Sequence, residues 1–170
     1  MKLPLEQALA KGMAMSDEVW ARHANPWSVW TRFTAAPLLV ASIWSRVWLG
    51  VWAWAPIAVS ILWIWLNPRL FPKPTSTKNW ASKAVLGERV WLNRHQVTIP
   101  ERHRVAPNLL SGIAGMGALL LIPGLWTLDV WLTLVGLLLV YAGKVWFLDR
   151  MVWLFEDMKE ANQEYRSWLY

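Results

Sequence analysis

Residues 44–65 read WSRVWLGVWAWAPIAVSILWIW, and this stretch decides the class of fold. All 22 residues from Val47 to Pro68 are uncharged, and five of them are Trp. A helix rises about 1.5 Å per residue, so about 20 apolar residues cross a hydrocarbon core of roughly 30 Å. A helix on the surface of a soluble protein keeps a polar face, which this stretch lacks. The stretch therefore predicts a transmembrane helix in an integral membrane protein.

The composition of the whole chain agrees with a membrane location. Of 170 residues, 56% are hydrophobic and only 16% are charged, whereas about a quarter of a soluble domain is charged. The chain contains 16 Trp, a residue that collects at the headgroup level of membranes. Two interpretations of the Trp content remain open: aromatic belts, or a Trp-lined pocket for a lipid tail, a quinone or a pigment.

The formal net charge is +6, and there are no cysteines. The basic residues flank apolar stretches, which favours anionic lipid headgroups as partners and not nucleic acid. The lack of cysteine excludes disulfides, thiolate metal sites, Fe–S clusters and cysteine nucleophiles.

The pattern predicts an all-α integral membrane fold with four transmembrane helices in two hairpins. The expected segments are a cytoplasmic surface segment (1–25), a first transmembrane hairpin (26–66), a cytoplasmic loop with an interfacial amphipathic helix (67–106), a second hairpin (107–148) and a C-terminal amphipathic helix (149–170).

Local signals place the ends of the first two helices. Asn25 is predicted to cap a helix that begins at Pro26 or Trp27 and runs to about Ser45. The second span is expected to end at Leu66, because three prolines follow within residues 67–74.

Residues 78–95 show helical spacing with an apolar side and a charged side. This pattern predicts a helix lying in the membrane interface. The apolar side consists of Ala81, Ala84, Val85 and Leu92, with Trp80 and Trp91 close by.

Two further uncharged stretches predict the two helices of the second hairpin. A third span begins near Val105 and is expected to end at Pro123-Gly124. A fourth runs from about Val130 to Leu148, and the C-terminal amphipathic helix continues from it.

The distribution of Lys and Arg predicts the topology. Four lie between the N-terminus and Arg32, eight in residues 67–104 and four in residues 144–170, whereas the two hairpin tips hold only Arg46. The positive-inside rule therefore places both termini and the middle loop in the cytoplasm. We expect a multi-pass protein of an inner (cytoplasmic) membrane.

Polar residues that are hard to explain by solubility gather at the predicted cytoplasmic face. Ionisable groups near a bilayer are costly unless they are paired or hydrated. They therefore form either a ligand-binding site or a set of contacts between loops and helix ends, and both interpretations stay open. The candidates are His23, Asn25, Arg32, Asn67, Arg69, Lys83, Glu88, Arg89, His95, Lys144, Asp149 and Arg150.

No cofactor, metal or catalytic site is predicted. The three His, at 23, 95 and 103, lack metal-ligand spacing, and none lies within a predicted span. No G-x-S-x-G, P-loop or dinucleotide pattern is present. The nearest enzymatic hypothesis is chemistry on a lipid phosphate, with a His as base. Its phosphate would be held by Arg32, Arg69, Lys83 and Arg89, and its base would be His23 or His95.

Four segments carry a resemblance to a known family: HANPWSVWTR (23–32), NPRLFPKP (67–74), NWASKAVLGERVWL (79–92) and KVWFLDRMVWL (144–154). Across about residues 17–170 the chain resembles a family of small Trp-rich prokaryotic membrane proteins of unknown function. The resemblance implies a shared membrane fold and adds no activity, cofactor or residue role.

The leading functional hypothesis is a non-catalytic accessory or assembly subunit that packs against a larger membrane complex or against itself. It rests on the lack of a catalytic constellation and on Trp-rich and small-residue faces in excess of what four helices bury. The alternative is a protein or enzyme that binds lipid head groups at the cytoplasmic face. A third hypothesis is a binding site for a quinone or pigment.

Overall fold

A computed structural model of the protein describes residues 15–170, which contain helices and no strand. Short 3-10 turns cover Gly50–Ala53 and Glu101–His103. The α-helices are α1 (Asp17–His23), α2 (Pro26–Arg32), α3 (Ala35–Trp44), α4 (Arg46–Leu49), α5 (Trp54–Leu70), α6 (Trp80–Leu92), α7 (Val105–Thr127), α8 (Val130–Ala161) and α9 (Gln163–Ser167).

Three helical stretches of the described chain are long and apolar enough to cross a membrane: Pro26–Leu70, Glu101–Thr127 and Val130–Ala161. The prediction of an all-helical chain with membrane-compatible helices is thus confirmed at this level. Within the first stretch, α3 packs against α5, and the hydroxyl oxygens of Ser42 and Ser60 lie 2.8 Å apart between them.

The first predicted span is interrupted, contrary to the expectation of one helix to Ser45. α2 ends at Arg32, and α3 begins at Ala35. Pro37 has no N–H to donate to the carbonyl of Phe33, four residues earlier. The hydroxyl of Tyr141 donates to that carbonyl instead, so a contact from α8 satisfies the group that the proline leaves open.

Two helices run past the ends predicted for them, Leu66 and Pro123-Gly124, although the first does stop within the proline-rich segment 67–74 as predicted. α5 passes through Pro68 to Leu70, and α7 passes through Pro123 to Thr127. A proline inside a helix removes one backbone hydrogen bond, the one to the carbonyl four residues earlier. Each helix nevertheless forms its last turn after the proline. The hydroxyl of Thr127 donates to the Pro123 carbonyl at 2.8 Å.

α6 is the most enclosed part of the structure, which corrects its interpretation as a helix with its apolar side in the membrane interface. Its apolar side packs against α8. Trp91 is buried and meets Phe147 edge to face, with ring centroids 6.3 Å apart. Gly87 permits the close approach, since a Cβ there would lie 1.9 Å from the Met151 carbonyl oxygen. The apolar side of α6 therefore contacts protein and not lipid.

The α7–α8 pair packs through glycines. Added Cβ atoms at Gly117, Gly136 and Gly143 would each lie within 3.0 Å of atoms of the opposite helix, which is the close packing that small residues allow between apolar helices. α8 runs without a break across the boundary predicted at 148/149 and ends before Asn162.

Arg46 connects the turn after α3 to the end of α7. Its Nη2 donates to the carbonyls of Leu125 and Trp126, the latter at 2.6 Å. Carbonyls in the last turn of a helix lack intrahelical partners and attract cations. This contact joins the first apolar stretch to the second at one end of the molecule.

We expect Gly87→Ala to lower the free energy of unfolding by about 2 kcal/mol, because the new methyl group meets the Met151 backbone and forces α6 away from α8. Gly115→Ala is the matched control, since nothing lies within 4 Å of its added Cβ. Unfolding of the purified proteins in one detergent measures both variants. Equal stability of the two variants would contradict the packing described.

Candidate functional site

His23 is buried at the end of α1, and both of its ring nitrogens have partners. Nε2 lies 2.9 Å from Nη1 of Arg32, and Nδ1 lies 2.9 Å from the hydroxyl of Ser28. A guanidinium only donates, so Nε2 accepts and Nδ1–H donates to Ser28. Burial, followed by the charge of Arg32, lowers the pKa of His23 to about 3. His23 is therefore neutral at pH 7.

The hydrogen bonds continue from His23 to the end of α5. The Ser28 hydroxyl donates to Oδ1 of Asn67 at 3.2 Å, and Nδ2 of Asn67 donates to the Thr31 hydroxyl at 2.8 Å. Asn67 is completely buried. Every polar atom of its side chain is thus satisfied by α2, and this explains how α5 stays in place across Pro68.

Asn25 caps α2, as predicted, by accepting from the N–H of Trp27 at 2.9 Å. Its Nδ2 also donates to the carbonyl of Pro72 at 2.9 Å. Residues 25–28 and 67–72 are therefore held side by side. Asn25 and Asn67 act in this network as contacts between loops and helix ends.

A cavity of about 250 Å³ lies beside this network, between α2–α3 on one side and α6 and α8 on the other. Four polar residues line one part of it: His23, Arg32, Glu88 and Lys144. Much of the remaining wall is apolar and includes Val29, Ala36, Leu39, Ile64, Val85 and Val140.

The polar residues lie at one level of the cavity, with Val29 and Leu148 on one side of them and a longer apolar stretch on the other. Along α2 and α3 the lining passes from Arg32 to Ala36 and Leu39, and along α8 it passes from Lys144 back to Val140. At the rise of a helix, the seven-residue step from Arg32 to Leu39 corresponds to about 10 Å. The cavity therefore places an apolar stretch next to a charged group, which is the combination that an amphiphile requires.

The charges at the polar level of the cavity do not cancel. Nζ of Lys144 and Oε1 of Glu88 are 2.8 Å apart. Burial would raise the pKa of Glu88, but Lys144 and then Arg32 outweigh it, so the pKa lies below its ordinary value and Glu88 is ionised at pH 7. The half-buried Arg32 has the neutral His23 as its hydrogen-bond partner and no carboxylate among residues 15–170. One positive charge remains.

The other predicted site residues lie outside this cavity. Lys83 pairs with Glu156 at 2.6 Å, Asp149 pairs with Arg150 at 2.7 Å, and His95 is exposed. Arg89 contacts Asp17 and stacks on Trp168, and Arg69 stacks on Trp65. Of the four cations predicted to hold a lipid phosphate, only Arg32 lines the cavity, so the structure does not assemble that set.

Ser28, Thr31 and Tyr141 were missed by sequence reasoning, although Tyr141 left a signal. It is the only Tyr inside an apolar stretch, and a hydroxyl in such surroundings needs a partner. Pro37 leaves the Phe33 carbonyl open on the neighbouring stretch, and the two groups meet at the cavity wall.

Within residues 15–170, no three His, Asp or Glu side chains meet closely enough to hold a metal ion. The comparisons with known proteins give one result. A family model, DUF6653, described as a family of unknown function, matches residues 4–168. The chain belongs to this family. The expectation from the four segments, a family of unknown function covering nearly the whole chain, is thereby confirmed. No curated protein and no solved structure matches.

The low pKa of His23 predicts a pH dependence of stability. Above pH 6.5, His23 is neutral in the folded and the unfolded protein. Below pH 6.5 the imidazole of the unfolded chain binds a proton, whereas that of the folded protein stays neutral down to about pH 3. Lowering the pH from 7.5 to 5.5 should therefore remove about 1.4 kcal/mol of stability through this group. Unfolding at the two pH values measures the loss.

His23→Gln removes the titrating ring and should lose less stability over this pH interval than the wild type. His95→Gln, at an exposed position, serves as the control and should behave as the wild type does. Identical losses in the wild type and in His23→Gln would show that His23 is not held neutral.

Proposed function

We propose that this protein is an integral membrane protein that binds an anionic amphiphile in the cavity between α2–α3 and α8. The head group lies at Arg32 and Lys144, and the apolar chain lies along Ala36, Leu39 and Val140. The observation that supports the proposal is the cavity itself, which combines one uncompensated cation with an apolar interior.

The position of Arg32 favours a ligand over a purely structural role. Its charge is half-buried, and its acceptor is a neutral imidazole. Glu88 balances only one of the two cations Arg32 and Lys144. An excess charge in a partly buried site is costly, whereas an anionic head group would supply the missing counter-ion. Hydrogen bonds between a guanidinium and an anion are roughly twice as strong as those between neutral groups. Among the predicted functions, this is the lipid-head-group alternative, and it concerns binding and not catalysis.

The proposal places four spans in the membrane: α2–α3, α5, α7 and α8, as two hairpins. The contact between Ser42 and Ser60 and the glycine packing of α7 on α8 support this arrangement. Exposed Trp side chains support it too, since five of the ten lie at the two turns joined by Arg46, as in an aromatic belt. They are Trp48, Trp52, Trp54, Trp126 and Trp131.

The distribution of Lys and Arg supports a cytoplasmic location for the opposite end, with both termini and the loop before α6. The proposed location is the inner (cytoplasmic) membrane of a prokaryotic cell. The polar level of the cavity then lies toward the cytoplasmic face, where anionic lipid head groups are available.

Ala36→Phe should abolish binding of the amphiphile, because the aromatic ring enters the cavity where the chain would lie. Lipids that copurify with the protein in mild detergent, identified by native mass spectrometry, measure the effect. Ala58→Phe is the control, because Ala58 is exposed on α5. The proposal is wrong if the wild type and both variants carry the same bound mass, or if the wild type carries none.

Arg32→Gln should weaken binding of an anionic amphiphile tenfold or more, equivalent to about 1.4 kcal/mol, while Arg32→Lys should retain part of it. Arg104→Gln, an exposed position outside the cavity, controls for the loss of a positive charge. If Arg32→Gln and Arg104→Gln bind the anionic amphiphile with similar affinity, Arg32 does not bind the head group.

The chain has no cysteine, so a single introduced cysteine is the only thiol that can react, and its labelling shows on which side of the membrane it lies. With four spans, cysteines at Gly50 and Asp129 should react with a membrane-impermeant maleimide from outside intact cells, and cysteines at Lys78 and Tyr170 only after lysis. Labelling of Gly50 and Asp129 on opposite sides would contradict the two-hairpin arrangement.

The subunit hypothesis is a second candidate, favoured by one outward face of α7. This face is small and exposed, and an added Cβ at Gly112 or Gly115 would meet nothing within 4 Å. Small residues let another helix approach closely. Native mass spectrometry of the gently extracted protein tests this candidate, and a monomer alone would contradict it. A Trp-lined pigment pocket gains no such support, since no Trp lines the described cavity.

A further inference from the structure

We infer that the head group held in this cavity is a carboxylate with a single negative charge, and that Glu88 is the residue that sets this preference. The inference rests on the proposed amphiphile site and goes further by naming the chemical class of the ligand. The ligand is a single-chain amphiphile of the fatty-acid type.

The first step is the charge at the polar level of the cavity. Arg32 contributes one positive charge, Lys144 contributes another, and the carboxylate of Glu88 cancels one of them at 2.8 Å from Lys144. His23 accepts a hydrogen bond from Arg32 and is neutral. A ligand with one negative charge therefore neutralises the site completely.

A phosphate monoester would fit this site less well. It carries about −1.5 to −2 charges near pH 7, so it would leave excess negative charge beside Glu88. Like charges in a partly buried site repel each other with less screening than in water. Both a carboxylate and a phosphate can accept two parallel hydrogen bonds from a guanidinium, so the charge of the head group is what favours the carboxylate.

The second step is the volume of the cavity. About 250 Å³ is larger than the roughly 150 Å³ of an apolar cavity that admits benzene in another protein. The space suits one alkyl segment that extends from Arg32 past Ala36 and Leu39. It does not suit the two chains of a diacyl lipid.

Glu88 decides which head-group charge the site prefers, because its carboxylate neutralises Lys144 and so keeps Lys144 from binding a second negative charge of the ligand. Glu88→Gln keeps an oxygen that can accept the hydrogen bond from Lys144 and removes the negative charge. The site then holds two uncompensated cations and should favour a dianion. Glu88 thus acts as a specificity-determining residue through Lys144.

The experiment uses the full chain in nanodiscs of phosphatidylcholine, a zwitterionic lipid, at pH 8. Decanoate, decyl phosphate and decyltrimethylammonium share one chain length and differ in head-group charge. Binding is measured by calorimetry, and the signal from Ala36→Phe nanodiscs is subtracted to remove partition into the bilayer. We expect decanoate to bind tenfold or more tightly than decyl phosphate, and the cationic probe not to bind.

In Glu88→Gln we expect the affinity for decyl phosphate to rise about tenfold and the preference for decanoate to disappear. Glu101→Gln, exposed and outside the cavity, should leave the wild-type ratio unchanged. Lys144→Gln is a second variant, in which Arg32 and Glu88 balance each other and no net positive charge remains, so it should weaken decanoate binding.

The outcomes separate the two levels of the proposal. If no probe binds above the Ala36→Phe background, the amphiphile site itself is refuted. If decyl phosphate binds the wild type as tightly as decanoate does, the carboxylate preference is overturned while the amphiphile site stands. If Glu88→Gln folds and keeps the wild-type ratio, or if Lys144→Gln binds decanoate normally, Glu88 does not set the preference.

Discussion

The hydrogen-bonded chain from Arg32 through His23 and Ser28 to Asn67 is the interaction on which the rest of the site depends. It joins α1, α2 and α5 at a single buried point. Each member is a donor to the next, and this direction is possible only while His23 is neutral. The same chain orients the guanidinium of Arg32 at the cavity. The stability of this corner and the position of the binding charge therefore have one physical origin.

The cavity exists because the helices around it cannot all approach equally closely. Glycines bring α7 against α8, and Gly87 brings α6 against α8. α2 and α3 meet α8 differently, through the hydroxyl of Tyr141 and the carbonyl that Pro37 leaves open. The close contacts on one side and the interrupted helix on the other leave apolar space between them. A residual positive charge beside that space makes it suited to an amphiphilic anion.

Some parts of this structure were predictable because they depend on near neighbours in the chain. The apolar stretches, the cap at Asn25 and the continuation of α8 past Arg150 follow from local hydropathy, hydrogen bonding and helical spacing. The prolines show the limit of such rules. The second and third spans were expected to end at Leu66 and at Pro123-Gly124, yet the helices run on to Leu70 and Thr127. At the first of these ends, the buried side chain of Asn67 bonds to α2, a contact between distant residues that no local rule includes.

By itself, the sequence determined that this is a helical protein with membrane-compatible stretches and a surplus of positive charge, because hydropathy and charge are sums over local residues. Only the tertiary structure decided which candidate residues form a site. His23, Arg32, Glu88 and Lys144 span most of the chain, and they meet because α6 and α8 pack beside α2. Arg69, Arg89 and His95 belong to the same polar class and lie elsewhere. Residue type does not encode distance, so the packing of distant helices alone distinguishes the two groups.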